Sequence, residues 1–381
     1  MRWSRDLLTL LQVIFWLAVG VMVYTFLGYP LLIGLLARAV ERPVQRAEST
    51  PPTTLIIPAY NEASVIARKI ENSLGLDYPA DLLEVVVITD GSDDGTVDVV
   101  SSYAERGVRL YHQPQRQGKA AAINRVVPLV SGEILVFSDA NTMIEPGALR
   151  ALVRSFADPA VGGVSGEKQV QGGGEGLYWR YESYLKRCDS ALTSVMGAAG
   201  EFFAVRRELF RPTEEDSVIE DFVLSLRLVE AGWRVVYESE AVAMEDASPS
   251  LAGDWRRRTR IAAGGFQAMV RLRSLLNPAH GLVAWQYCSH RVLRWAVTPF
   301  LLPVIYGLDL LLVGQPLYRF LFLVQTAFYA AALLGYGLTR LGIRGGPLHS
   351  VFYFCFANAA ALAGFWRYLA GTQPVTWAKA R

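Results

Sequence analysis

Three clusters of acidic and small polar residues mark the middle of this 381-residue chain: PAYNE at 58–62, DGSDDGT at 90–96 and SDANT at 138–142. Taken singly, each has an ordinary reading, with Asn61 capping a helix or Asp94-Gly95-Thr96 making a turn and cap. Taken together they supply carboxylates and small groups at three comparable places. Downstream, VIED at 218–221 puts Glu220 and Asp221 at the start of a helix-like stretch. A carboxylate there can accept a proton from an attacking hydroxyl or merely favour the helix dipole. QGKAAAIN at 117–124 offers one ammonium, Lys119, and DWRRRTRI at 254–261 offers four guanidinium groups. Cations of this kind bind anions, whether phosphates of a ligand or lipid headgroups.

The elements that must hold these residues are β-rich runs at 54–57, 84–89, 108–111 and 133–137, which alternate with amphipathic stretches. Such alternation predicts βαβ units, hence an α/β domain built on a mainly parallel sheet. Ligands of open parallel sheets bind beyond the carboxyl ends of the strands. The three acidic clusters follow the first, second and fourth runs, so they are expected to face one crevice.

IIPAYNE, TDGSDDGT, QGKAAAIN, SDANT and IED, in this order and spacing, resemble the inverting glycosyltransferases of family 2. The resemblance runs from about residue 55 to 267. It is strongest to their membrane-embedded branch of cellulose, hyaluronan and poly-N-acetylglucosamine synthases. It implies a Rossmann-like GT-A domain that binds a nucleoside-diphosphate sugar, most often a UDP-sugar. Pro58, Ala59, Glu62, Asp90, Lys119 and Asp139 then correspond to the nucleotide-sugar pocket. Asp139 and Asn141 occupy the first and last places of the family's metal-binding Asp-x-Asp element, which implies Mg²⁺ or Mn²⁺ as cofactor. Asn141 brings an amide oxygen where the family has a charge. Asp221 corresponds to the catalytic base and Glu220 to its partner.

The segment 197–207, GAAGEFFAVRR, matches the family region that shapes the sugar and acceptor sites, where Gly197 and Gly200 permit close backbone approach. In 254–261 the family commonly has Gln-x-x-Arg-Trp, and Arg257, Arg260 and Ile261 stand at those three places. The resemblance gives Arg260 the departing diphosphate. Arg257 falls in the acceptor region. Ile261 lacks the flat face of tryptophan, for which Trp255 or Phe266 is a substitute. Arg256 and Arg258, and likewise His290, Arg291 and Arg294, are expected at lipid headgroups.

Composition sets the surroundings. Apolar residues make up 52%, charged residues 19%, and the mean hydropathy is +0.25. The globular average of roughly 45–50% counts Gly and omits Tyr, and the same count here gives about 56%. Disorder, a collagenous fibre and a disulfide scaffold are excluded by such a chain with three cysteines. The excess is concentrated at 7–37, 295–313, 320–339 and 347–366, long enough to span a bilayer. Pro30 is expected to bend or end the first span, and Asp309 to lie near the far end of the second. This gives an N-terminal anchor over 1–41, a catalytic domain over 42–250, an amphipathic interfacial segment over 251–294 and a C-terminal membrane region over 295–381. Counting basic residues with Arg291, Arg294, Arg340 and Arg344 puts the catalytic domain in the cytosol; Arg2, Arg5, Lys379 and Arg381 weigh mildly the other way. Together with the resemblance, this implies an integral plasma-membrane enzyme with an NDP-sugar donor, a lipid-linked or polysaccharide acceptor, membrane lipids as partners and no nucleic acid. Transfer of one sugar to a polyprenyl phosphate is the alternative, and an inert membrane scaffold the second.

Overall fold

The computed structural model describes residues 4–171, 176–246, 250–343 and 346–376. Arg2, Arg344, Lys379 and Arg381, which entered the charge count, lie outside the described residues.

The first apolar run forms α1 (Arg5–Val23), one π turn at Tyr24–Gly28 and α2 (Tyr29–Ala39). Pro30 does not end the helix. It sits in the first turn of α2, where its missing N–H matters least, and the widened turn before it makes room for the ring.

Eight strands follow: β1 (Thr53–Ala59), β2 (Leu83–Asp90), β3 (Arg109–Gln113), β4 (Ile134–Phe137), β5 (Met143–Ile144), β6 (Val161–Gln171), β7 (Phe203–Arg206) and β8 (Arg234–Asp246). They form one sheet in the order β3-β2-β1-β4-β7-β6-β8-β5. The first four are parallel neighbours, as the alternating pattern requires. β7 runs antiparallel to both β4 and β6, while β6 and β8 are parallel. Side chains alternate between two cores, as a period of two dictates. Ile56, Val86, Ile88, Leu135 and Phe137 face one, while Leu55, Ile57, Val85, Val87 and Val136 face the other. Helices α3 (Ile66–Leu74), α4 (Thr96–Ser101), α5 (Lys119–Val126), α6 (Ala148–Val153), α7 (Gly176–Leu192) and α8 (Glu220–Glu230) complete this part.

α9 (Leu251–Arg271) then starts at Ser250, whose hydroxyl accepts from the Gly253 N–H. Beyond it come α10 (Leu282–Tyr287), a π-helical segment at Cys288–Val297, α11 (Thr298–Leu311), α12 (Pro316–Arg340) and α13 (Gly346–Leu369). Among the described residues, four helical stretches are long and apolar enough to cross a membrane: Arg5–Ala39, Leu282–Leu311, Pro316–Arg340 and Gly346–Leu369.

The second stretch begins at Leu282, ahead of the expected 295, and this changes the role of its polar residues. His290, Arg291 and Arg294 are not at headgroups. His290 is fully buried with Nδ1 2.5 Å from Asp189 Oδ2, and Arg294 meets Glu182 at 2.5 Å. Arg291 Nε donates to the Met196 carbonyl. Charges inside a protein need partners, and α7 supplies them. Tyr29 from α2 donates to the same Asp189, as does Gln286 at 3.1 Å. This polar seam fastens two candidate spans to the sheet domain. Arg258 is also withdrawn from lipid, pairing with Asp254 at 3.1 Å and with Tyr353, while Arg256 stays exposed. Asp309 lies toward the end of α11 and is buried within the fold.

α13 lies along α9. Tyr353 donates to Asp254 at 2.6 Å, and Gly364 brings the two backbones so close that a Cβ would stand 2.5 Å from Ala262 Cβ. The chain after α13 returns to the sheet domain, where Val375 packs beside Gly118.

Candidate active site

The polar loops after β1 and β2 are built into each other. Asn61, at φ 54°, donates to Asp93 Oδ1 at 2.7 Å and accepts from the Asp93 N–H. Its own N–H goes to Ser92, and the Glu62 N–H goes to Thr96. Asn61 therefore caps no helix; it locks two strand ends into one rim. Asp90 is buried and accepts from the N–H groups of Gln117 and Gly118, which fixes the loop leading into α5. A carboxylate has about four lone-pair sites, so capacity remains for a ligand N–H.

That loop launches Lys119. Its ammonium lies 2.9 Å from Asp139 and 2.8 Å from Glu220, joining the end of β4 to the start of α8. Burial alone would lower its pKa, yet the two acids hold it well above the usual lysine value. Asp221 adjoins this pair. Burial, then the neighbouring Glu220 charge, pushes its carboxyl from 3.8 up to about 7. Gly200 makes the approach possible: a Cβ there would lie 3.0 Å from Asp221 Oδ2 and 3.1 Å from Lys119 Nζ. Gly197, at φ 98°, faces the Phe222 ring at 2.2 Å from its would-be Cβ.

A second cluster stands beside the first. Lys168 pairs with Glu201 and Glu245, and Arg257 meets the same two acids at 3.1 and 3.4 Å. Lys168 and Arg257 hold the Glu201 carboxyl well below its usual value against the effect of burial. Asn141 donates to Glu245 at 2.9 Å. Beneath the turn at 138–142, Lys69 is wholly buried and donates to Ser138 Oγ and the Thr142 carbonyl, and burial brings its pKa down to about 7.

A cavity of about 1390 Å³ opens among these groups. It takes in Pro58, Glu62, Lys119, Asp139, Asn141, Gly197, Gly200, Glu220, Asp221, Arg257 and Arg260, so the structure brings most of the expected site together. Arg260 reaches the Val218 carbonyl at 3.3 Å. Three expected residues stand apart. Ala59 is buried in β1, Asp90 lies behind the loop it holds, and Trp255 packs edge-on against Phe356. Phe266 does line the cavity, as does Ile261. Lys69, Lys168, Glu182, Lys186, Glu201 and Glu245 were not singled out from sequence. The only signal among them was Glu201, an acid inside the otherwise apolar segment 197–205.

Among the described residues no group of three or more His, Cys, Asp or Glu side chains is arranged to hold a metal. What the cavity offers is the Asp139 carboxylate and, with the Asn141 nitrogen turned to Glu245, the Asn141 amide oxygen. Both are hard oxygen donors of the kind Mg²⁺ and Mn²⁺ take, and such ions complete their shell with waters and phosphates.

Comparison with known proteins agrees with this geometry. The chain is 25% identical over 243 residues to the poly-beta-1,6-N-acetyl-D-glucosamine synthase of Staphylococcus aureus, covering 61% of this chain and 58% of that protein. It is 26% identical over 244 residues to the probable glycosyltransferase YdaM of Bacillus subtilis, covering 60% and 58%. The chain thus spans under two thirds of the length of these curated relatives. A mannosyltransferase from Pyrobaculum calidifontis, solved in complex with GDP-Man and Mn²⁺, superposes with a TM-score of 0.72 at 27% identity, covering 92% of this chain and 97% of that one. The family model "Glycosyl transferase family 2" matches residues 54–213, and "Glycosyl transferase family group 2" matches residues 134–368. With more than half of its length matched in this way, the chain belongs to the family 2 glycosyltransferases.

Proposed function

We propose that this enzyme is a membrane-bound inverting glycosyltransferase, with its catalytic domain in the cytosol, which moves a sugar from a nucleoside-diphosphate sugar to a lipid-linked glycan or growing polysaccharide. The observation that carries the reading is the buried Asp221 carboxyl, poised near neutrality beside Glu220 and the Lys119–Asp139 pair. In the reaction, an acceptor oxygen attacks the anomeric carbon from the face opposite the diphosphate. Its proton passes to Asp221, the bond from the anomeric carbon to the diphosphate oxygen breaks, and the nucleoside diphosphate leaves. A general base in such a step contributes about 10²–10⁴-fold.

Lys119 and Arg260 are the cations that meet the negative charge on the departing diphosphate. Asp139 and Asn141 would hold a divalent ion, which supplies further neutralisation of that diphosphate when bound. The GDP-Man and Mn²⁺ of the Pyrobaculum structure support a sugar nucleotide and a metal of this kind, and the sequence resemblance favours a UDP-sugar. The free thiols of Cys188, Cys288 and Cys355 suit a reducing cytosol. Ile261 at the cavity wall, in place of a flat aromatic platform, favours a second reading in which one sugar is added to a lipid acceptor.

The test is nucleoside diphosphate release from a panel of UDP- and GDP-sugars by the membrane-reconstituted enzyme. Asp221→Asn is expected to lower the rate at least a hundredfold while sugar-nucleotide binding persists. Equal release by wild type and variant removes Asp221 as the base, and release from no donor leaves the inert scaffold.

A further inference from the structure

The cavity is larger than the roughly 300–1,000 Å³ of one small-molecule site, and its lining changes character along its length. Beyond Asp221 and Glu201 it continues between α7, α9, the π-helical segment and α13. There the charged lining residues are Lys186, Arg258, Arg291 and Arg294 against Glu182 and Asp254, a local excess of cations. Contacts set the order of the lining: Arg291 lies over the Phe222 ring next to Asp221, Arg294 lies over the Tyr181 ring, the Tyr181 hydroxyl donates to the Phe26 carbonyl, and Phe26 faces α13, whose Phe354, Ala357, Asn358 and Ala361 line the cavity at helical spacing. Phe26 and Phe354 meet edge to face at 5.5 Å.

Lys186 is the unexplained member. It is 6% exposed and lines the cavity, yet no hydrogen bond or ion pair engages it among the described residues. The charges facing it are the Glu182 and Glu201 carboxylates, with Glu167 behind them, and the Arg291 guanidinium, and burial lowers its pKa. A buried ammonium without a partner is costly. Glu182, the nearest acid, is already engaged by Arg294.

The sequence of surfaces, proton-accepting carboxylate, then cations, then hydrocarbon, is the order of groups in a sugar joined through phosphate to a lipid: hydroxyl, phosphate, chain. We propose that the acceptor is such a phosphate-linked lipid sugar, and that Lys186, with Arg291 and Arg294 beside it, holds the phosphate between the catalytic carboxylates and the apolar face of α13. This deepens the proposed function and rests on it. The acceptor hydroxyl gives its proton to Asp221 and gains the sugar at its oxygen, while the lipid phosphate keeps its own bonds and only anchors.

The experiment measures binding to the full chain in nanodiscs, with a nucleoside diphosphate at saturation to fill the donor end. Three probes are compared: a C55 polyprenyl diphosphate, the matching polyprenol and inorganic pyrophosphate. The polyprenyl diphosphate is expected to bind at least tenfold more tightly than either other probe. Lys186→Met should weaken it tenfold or more, as the loss of a hydrogen bond to a charged group predicts, and Lys186→Arg should restore most of the loss. Methionine fills the buried site without a charge, so the variant should fold. Equal binding of polyprenol overturns the phosphate assignment, equal binding of pyrophosphate overturns the lipid, and an unchanged affinity in Lys186→Met overturns the role of Lys186. Failure to bind any nucleoside diphosphate overturns the glycosyltransferase reading itself, a different outcome from weak lipid binding with the nucleotide in place.

Discussion

A carboxylate that takes a proton near neutral pH must have its proton affinity raised, and Asp221 achieves this by burial and by the adjacent Glu220 charge. As the proposed base, Asp221 works only when ionised, so kcat/KM should climb with pH through an apparent pKa of about 7. Glu220→Gln removes the repelling charge, and the rising limb should move to lower pH, read from a pH-rate profile. The same shift bears on stability. Because the folded value lies above the ordinary 3.8, the stabilising contribution is complete below pH 3.8 and lost as pH rises through about 7. Asp221→Asn should therefore melt at a higher temperature than the wild type at pH 8, and differ little at pH 4. The identities of Asp221, Lys119 and Asp139 were legible in sequence because each sits in a short motif at a strand end or a helix start. The proton affinity of Asp221 was not, since it depends on its burial, on the adjacent Glu220 charge and on Lys119, brought to Glu220 from about a hundred residues earlier in the chain. Lys186 was illegible for a like reason: it lies on α7 without a motif around it.

At the scale of elements, β1 to β4 were readable because alternating apolar runs leave little freedom in a parallel sheet. The start of the second candidate span was not, because His290, Arg291 and Arg294 look like interfacial charges until α7 is seen to neutralise them. Close helix crossings are equally hidden. Gly364 on α13 lies 2.8 Å, measured from its would-be Cβ, from both the Ala263 nitrogen and the Thr259 carbonyl of α9. Gly364→Val should force the helices apart at a cost of about 1–3 kcal/mol, measured by thermal unfolding in detergent. Gly197→Ala should cost a similar amount through strain at positive φ and collision with Phe222. Because that glycine lines the cavity, at what we propose is its acceptor end, its loss should also lower acceptor-dependent turnover, measurable as product formed at fixed donor.

For the molecule as a whole, the decisive feature is the seam in which Asp189 gathers Tyr29, Gln286 and His290. Asp189→Ala leaves the buried Tyr29 hydroxyl and His290 ring without their acceptor, and Gln286 with only the backbone carbonyl of residue 189, and should destabilise the protein by about 3 kcal/mol or more. If the membrane helices and the sheet domain unfold together, calorimetry of the reconstituted wild type gives one transition and the variant gives it at a lower temperature. Two separate transitions in the wild type would show that the seam does not couple them. The seam also constrains how such a protein can change over generations. Tyr29 and Asp189 are 160 positions apart in the chain, and Gln286 and His290 lie about another hundred beyond. A recombination that inherits the middle of the gene from one parent and the ends from another separates the acid from its donors. Productive exchange of sugar-transfer domains between relatives therefore requires that all four positions be inherited as a set.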